Sequence, residues 1–274
     1  MSSTGAQQNG SSTPSCQTLL PSSPVARRHD TPTSDNQQQP SPTEYDTIKA
    51  ILTPYWHIFT TVVQTVNIQQ VTAITHTDTN PPCYTCHTSP VHFASGAAAF
   101  PPETSPEIQV AVQKLDLCDM AVHTLLPYLQ TSLQHIGARV DWLTVTPHRN
   151  ILIRYATDIA PPAGSHSVCV VTSASRETFI VDFTVEQLGF GDEWWFAEEQ
   201  MYLAACTEDG YLGLEDEAYM ESMERVLSGE GNEGSFHIME KVREVCEEVD
   251  EEDLEVLRAR AVEVVRREDE DEVD

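Results

Sequence analysis

The chain has 274 residues, 40% of them hydrophobic, enough for one domain of moderate size with a real core. Its 43 acidic residues against 15 basic ones give a net charge of −28, and such a surface repels both a nucleic-acid backbone and an anionic membrane. No segment approaches the roughly 18–20 uninterrupted apolar residues of a membrane span, so nucleic acid and membrane are not expected as partners.

The first residues, MSSTGAQQNGSSTPSCQTLL, have no basic stretch leading into an apolar one, so no secretory signal is expected. The seven cysteines are odd in number and scattered. Reduced thiols in an intracellular setting, cytoplasmic or nuclear, are the simpler expectation. Residues 1–42 are rich in Ser, Thr, Pro, Gln and Asn and are expected to be disordered, because they cannot bury enough apolar surface to offset ordering entropy. Tyr45, Ile48, Ile51, Leu52, Tyr55 and Ile58 recur at helical spacing, with Thr43 as N-cap and Pro54 interrupting. The run FTTVVQTVNIQQVTAI that follows is rich in Thr and Val and predicts one or two strands.

Residues 77–106, full of Pro, Thr and Ser, read as a loop. Within it, Cys83, Cys86 and His87 form C-x-x-C-H, the pattern of c-type haem attachment and half of many zinc sites. No axial ligand or export route accompanies it, and no second C-x-x-C or H-x3-H follows. The segment is read as a Pro-bounded loop with no cofactor. A zinc-stabilised adaptor using Cys83, Cys86, His87 and His92, with His76 as a substitute, is the alternative.

Ser105-Pro106-Glu107 marks a helix start, and apolar residues then recur as far as Ile136 before Gly137. Pro127 allows a kink or two helices. ARVDWLTV (138–145) and NILIRYA (150–156) predict strands, and HSVCVVT and TFIVDFT predict a hairpin around SASRE. Residues 193–206 look helical, with Trp194 and Trp195 as core or interface anchors. Beyond residue 207 the chain is strongly acidic and predicts charged amphipathic helices and a solvated tail.

The hairpin carries the chemistry. With its turn centred near Ala174, antiparallel pairing sets His166 opposite Asp182, Val168 opposite Ile180 and Val170 opposite Thr178. Side chains so opposed lie roughly 4.5–5.5 Å apart at Cβ, close enough for a carboxylate to orient an imidazole and favour its charged form. A cysteine on an abutting helix, Cys118, would then be held as a thiolate, the nucleophilic form.

These residues resemble the transglutaminase-like branch of the papain-like cysteine fold over about residues 115–190. The resemblance rests on Cys118 with Ala121 three residues on, on "HIGARV" leading into a strand, on His166 in "SHSVCVV" and on Asp182 in "FIVDFT". It implies a helix that begins with the nucleophilic Cys118, with His166 as general base and acid and Asp182 as its orienter. Acyl transfer or amide hydrolysis would pass through a thioester on the cysteine, with a peptide or amide as substrate. Asp116 stands where the family usually has Gly, and Phe183 where it has Pro. Asp116 and Asp119 flank the thiol, and their charges oppose a thiolate. A helix starting as early as Pro106 would put Cys118 in mid-helix. Gln187 is a further candidate, as an oxyanion donor.

Each of these residues also has a structural reading. Cys118 lies on the apolar stripe of Val122, Leu125, Leu129 and Ile136, where a buried cysteine acts as a small hydrophobe. His166 and Asp182 can be a cross-strand pair. The expected architecture is α+β, a helix packed on an antiparallel sheet in papain-like, transglutaminase-like fashion. It comprises a tail (1–42), a domain over 44–206 and an acidic helical region over 207–274. The function expected is cysteine-dependent acyl transfer or amide hydrolysis. The alternative is a non-catalytic member of the fold that binds a basic protein partner through its acidic helices.

Overall fold

The computed structural model describes residues 43–67, 70–89, 94–95, 99–158, 164–215, 217–227, 229 and 233–247. The expected N-terminal tail, His92 and the acidic tail beyond residue 247 lie outside these residues.

Helix α1 spans Glu44–Thr65. Thr43 caps it reciprocally: the Asp46 amide donates to its hydroxyl, while its own amide donates to the Asp46 carboxylate. The helix runs through Pro54 and takes in the first part of the Thr- and Val-rich run, as far as Thr65, while the later part holds the expected strands, at 66–67 and 70–77. Phe59, Val62, Val63 and Val66 continue the stripe of Ile48, Leu52, Tyr55 and Ile58, and all are buried. Burial on a helical face, about 1.5–3 kcal/mol per large apolar side chain, outweighs the tenths of a kcal/mol by which β-branched residues disfavour a helix.

Strand β1 (Val66–Asn67) pairs with β4 (Ala94–Ser95). The expected loop instead holds β3 (Cys83–Ser89), antiparallel to β2 (Gln70–Thr77) and parallel to β6 (Leu152–Tyr155). The alternating threonines suit a half-covered pleated surface, and the turn falls between Thr77 and Cys83.

Ser105 caps α2 (Pro106–Gln113), as expected. The apolar run then breaks, and α3 (Cys118–Gln134) starts afresh and passes through Pro127. Gly137, at φ +72, ends this helical stretch and leads into β5 (Arg139–Pro147). Strands β7 (His166–Thr172), β8 (Thr178–Val181) and β9 (Phe196–Glu198) follow. Helix α4 (Glu199–Cys206) covers less of 193–206 than expected, and β10 (Thr207–Leu214), α5 (Glu217–Leu227) and α6 (Glu233–Glu247) complete the chain.

One antiparallel sheet organises the whole, in the order β10-β5-β7-β8-β9. Alternation along its strands sends Val140, Trp142, Cys169, Val171, Phe179 and Val181 into a core shared with α1, α3 and α6. Leu143, Val145, Val168, Val170 and Ile180 face the other way, against Tyr202 and Cys206 of α4. The fold is therefore α+β.

The acidic region beyond residue 207 also differs from expectation. Strand β10 is not helical and pairs with β5 at the sheet edge. Helix α6 is also more than a solvated face: Ile238, Met239, Val242 and Val245 are buried in the main core, against α1 and α3. No helix among the described residues is long and apolar enough to cross a membrane.

Candidate functional site

The break between α2 and α3 places Cys118. Asp116 adopts a left-handed conformation, φ +59, which ends one helix and lets the next begin two residues later. Two consecutive side chains of the 3-10 turn Val185–Leu188 hold this link. Gln187 Oε1 accepts the Asp116 amide at 3.1 Å, and Glu186 Oε1 accepts Lys114 Nζ at 2.7 Å. Cys118 is thus the first residue of α3, half-buried, after a Leu117 N-cap that makes no side-chain cap bond. First-turn amides of a helix lack intrahelical partners and carry partial positive charge. Cys118 lies at this helix end, not in mid-helix.

His166 opens β7 and is buried. Its Nε2 lies 2.8 Å from Asp182 Oδ2. The pair meets, though not by the expected register. Val170 faces Ile180 and Thr172 faces Thr178, two residues from the predicted pairing, and β8 ends at Val181. A slip of two keeps every side chain on its face. Asp182 therefore reaches His166 from just past the paired segment.

Asp182 is fully buried, and its carboxylate is saturated with donors. Oδ2 also accepts Tyr202 Oη at 2.6 Å, while Oδ1 accepts the Thr184 amide at 2.9 Å and its hydroxyl at 3.3 Å. Burial would raise the Asp182 carboxyl. The His166 charge and these hydrogen bonds outweigh it and hold the group below the usual carboxylate range. For His166, burial favours the neutral ring, but the Asp182 charge and hydrogen bond, then the Cys118 side chain, push its pKa up to about 10. The Cys118 side chain also acts on this ring electrostatically. The continuous hydrogen-bonded chain runs from the ring through Asp182 to Tyr202 and Thr184.

The flanking carboxylates are accommodated. Asp119 Oδ1 accepts the Ser167 hydroxyl, and Ser167 Oγ in turn accepts Trp142 Nε1 at 2.9 Å. Arg149, half-buried on the β5–β6 loop, interacts electrostatically with Cys118, Asp116 and Glu208. Gln187 spends its carbonyl on Asp116, while its Nε2 is buried without a partner among the described residues.

Cys83, Cys86 and His87 lie away from this chemistry, on β3. Three positions apart on a strand, Cys83 and Cys86 point to opposite faces, so they do not form a C-x-x-C metal clamp. Cys86 is fully buried, and burial pushes its thiol up to about 11. His76 stacks on Tyr84 at 4.9 Å. No cluster of three or more His, Cys, Asp or Glu side chains suited to a metal occurs among the described residues. Trp195 is a core anchor, stacked on Trp56 at 5.4 Å, and its carbonyl accepts the Asp182 amide at 2.8 Å. Trp194 packs edge-on against Phe190.

Sequence reasoning missed Tyr202, Arg149 and Ser167. Ser167 adjoins His166 and was within reach of inspection. Tyr202 and Arg149 lie 20 and 33 residues from Asp182, in segments whose local pattern marks only a helix and a turn. Comparison of the chain with family models, with curated proteins and with solved structures finds no match.

Proposed function

We propose that this protein is a cysteine-dependent acyltransferase or amidohydrolase of transglutaminase-like, papain-like architecture, with Cys118 as nucleophile, His166 as general base and acid, and Asp182 as its orienter. The observation that best supports the reading is a buried imidazole bonded to a carboxylate that accepts four hydrogen bonds, with a helix-terminal thiol that acts on the same ring electrostatically. A cross-strand pair serving stability alone needs no half-exposed thiol at its end.

In this reading the Cys118 thiolate attacks the carbonyl carbon of an amide, a C–S bond forms, and the oxygen takes the negative charge. His166 passes its Nδ1 proton to the departing nitrogen, the C–N bond breaks, and a thioester remains. His166 then takes a proton from water, or from an amine, as that nucleophile attacks the thioester. The C–S bond breaks and the thiolate returns. Asp182 stays ionised throughout and holds the ring in orientation.

Iodoacetamide labelling with peptide mapping tests this. At neutral pH, Cys118 is expected to react ahead of the other thiols, and Cys118→Ala to abolish any acyl adduct while costing under about 1 kcal/mol of stability, since the side chain is half-exposed. An inert native Cys118 whose removal costs several kcal/mol would place it in the core instead.

A further inference from the structure

A cleft of about 500 Å³ lies between α1, the start of α2 and the turn that follows Val185–Leu188. Small-molecule sites are typically about 300–1,000 Å³. The α1 wall is Trp56, Thr60 and Gln64, each four residues from the next and so stacked on one stripe of the helix. Ile108, Val110, Ile151 and Phe190 supply apolar sides. The rim is exposed at Gln64, Glu107 and Asp192, while Glu186 is buried, with 9% exposure.

The charge in the cleft has one sign. Glu107, Glu186 and Asp192 line it, and no Lys, Arg or His does. Lys114 is fully buried and not part of the lining; its ammonium donates to Glu186 Oε1 at 2.7 Å and to Thr60 Oγ1 at 3.3 Å. Glu186 is therefore only half used. Its Oε2 is buried with no hydrogen-bond partner among the described residues, a costly state for a carboxylate oxygen. Burial outweighs the Lys114 charge and raises the Glu186 carboxyl above its usual range, so one cation does not fully offset the desolvation.

Trp56 is in a similar position. Its ring stacks on Trp195 at 5.4 Å and lies 5.7 Å from Lys114 Nζ, while its Nε1 is buried without a partner among the described residues. With the ring so engaged, a cation entering the cleft is held by carboxylate rather than by the indole face. An anion is repelled by the lining, and a neutral apolar molecule leaves Glu186 unsatisfied.

We propose that this cleft is a binding site for a small organic ammonium ion, with its charged end on Glu186 Oε2 and its carbon body against Ile108, Val110 and Phe190. Trp56 Nε1 is available to an acceptor atom on the same ligand. The inference uses no property of Cys118 and stands or falls apart from the reading of that thiol as a nucleophile.

NMR titration of the full chain with benzylamine, benzyl alcohol and benzoate tests it. Benzylammonium is expected to bind saturably, the alcohol about tenfold or more weakly, as the loss of a charge-assisted hydrogen bond predicts, and benzoate not at all. Glu186→Gln should bring benzylammonium down to the level of the alcohol. If that variant folds poorly for want of a partner to Lys114, Lys114→Met with Glu186→Gln takes its place. Val110→Phe fills the cleft without touching a carboxylate and should abolish binding of both ligands. A chain of net charge −28 attracts cations over its whole surface, so benzylammonium binding that does not saturate, or that survives Val110→Phe unchanged, overturns the site. Equal binding of the amine and the alcohol overturns the role of Glu186, and with it the proposal.

Discussion

Tyr202→Phe removes one oxygen from a fully buried hydrogen-bond network. Tyr202 is fully buried, and its hydroxyl lies 2.6 Å from Asp182 Oδ2, the oxygen that also takes His166 Nε2. A hydrogen bond to a buried charge contributes about 1.5–3 kcal/mol, so the variant should lose about 2 kcal/mol of stability at pH 7. The pH dependence follows from the direction of the shift. The Asp182 carboxyl is held below its usual range, so its stabilising contribution is present above an unfolded value of about 3.9 and lost as pH falls through the lower folded value. Without the hydroxyl that folded value rises, so acid unfolding begins at a higher pH. His166 governs the other limb: its contribution is full below an unfolded value of about 6.5 and is lost as pH rises through about 10. Urea denaturation across pH 3–8 measures the effect. The gap between variant and wild type should be widest near pH 7 and narrow towards pH 3. A urea midpoint unchanged at pH 7, or a gap independent of pH, would refute the claim that the tyrosine holds the carboxylate.

Two further substitutions probe what positions the thiol. Lys114→Met strands the buried Glu186 carboxylate, now 2.7 Å from the ammonium, and should cost about 3–5 kcal/mol by urea denaturation; adding Glu186→Gln should recover most of that loss, and failure to recover it would show that the lysine acts through packing. Gly189→Ala forces a side chain onto φ +83, with its Cβ 2.9 Å from Ile151 Cγ1. The strain and overlap should together cost about 2–4 kcal/mol by urea denaturation, whereas an unaltered midpoint would mean that the loop tolerates the shift.

Local signals carry the elements that local physics decides: Ser105 before Pro106 announces α2, Gly137 closes the stretch that follows, and both strands around the SASRE turn form, with the second shorter and the register two residues from the expected one. The failures fall where tertiary burial overrides propensity. Thr and Val between residues 59 and 65 are helical because α1 must present Phe59, Val62 and Val63 to a core built by distant segments. The charged pattern past residue 207 concealed the apolar face of α6, and nothing local in TEDGYLGL announces that β5 leaves an edge for it to pair with.

The site divides along the same line. The reach from His166 to Asp182 was legible because a hairpin converts sequence separation into distance, and a two-residue error in register preserves the face. The helix start at Cys118 was not decidable locally, because it depends on Asp116 being held in a left-handed turn by Gln187, 71 residues on. That one bond joins the two halves of the site: the 3-10 turn that follows Asp182 also fixes where α3 begins. The orienting carboxylate and the thiol are therefore set by a single short segment, Asp182–Leu188, through Thr184 on one side and Glu186 and Gln187 on the other. Asp116 and Asp119 looked unfavourable beside a nucleophile when read as isolated charges. In the folded chain Asp119 accepts the Ser167 hydroxyl and the Asp116 backbone is held by Gln187, and each partner comes from a strand or turn that sequence proximity does not connect to Cys118.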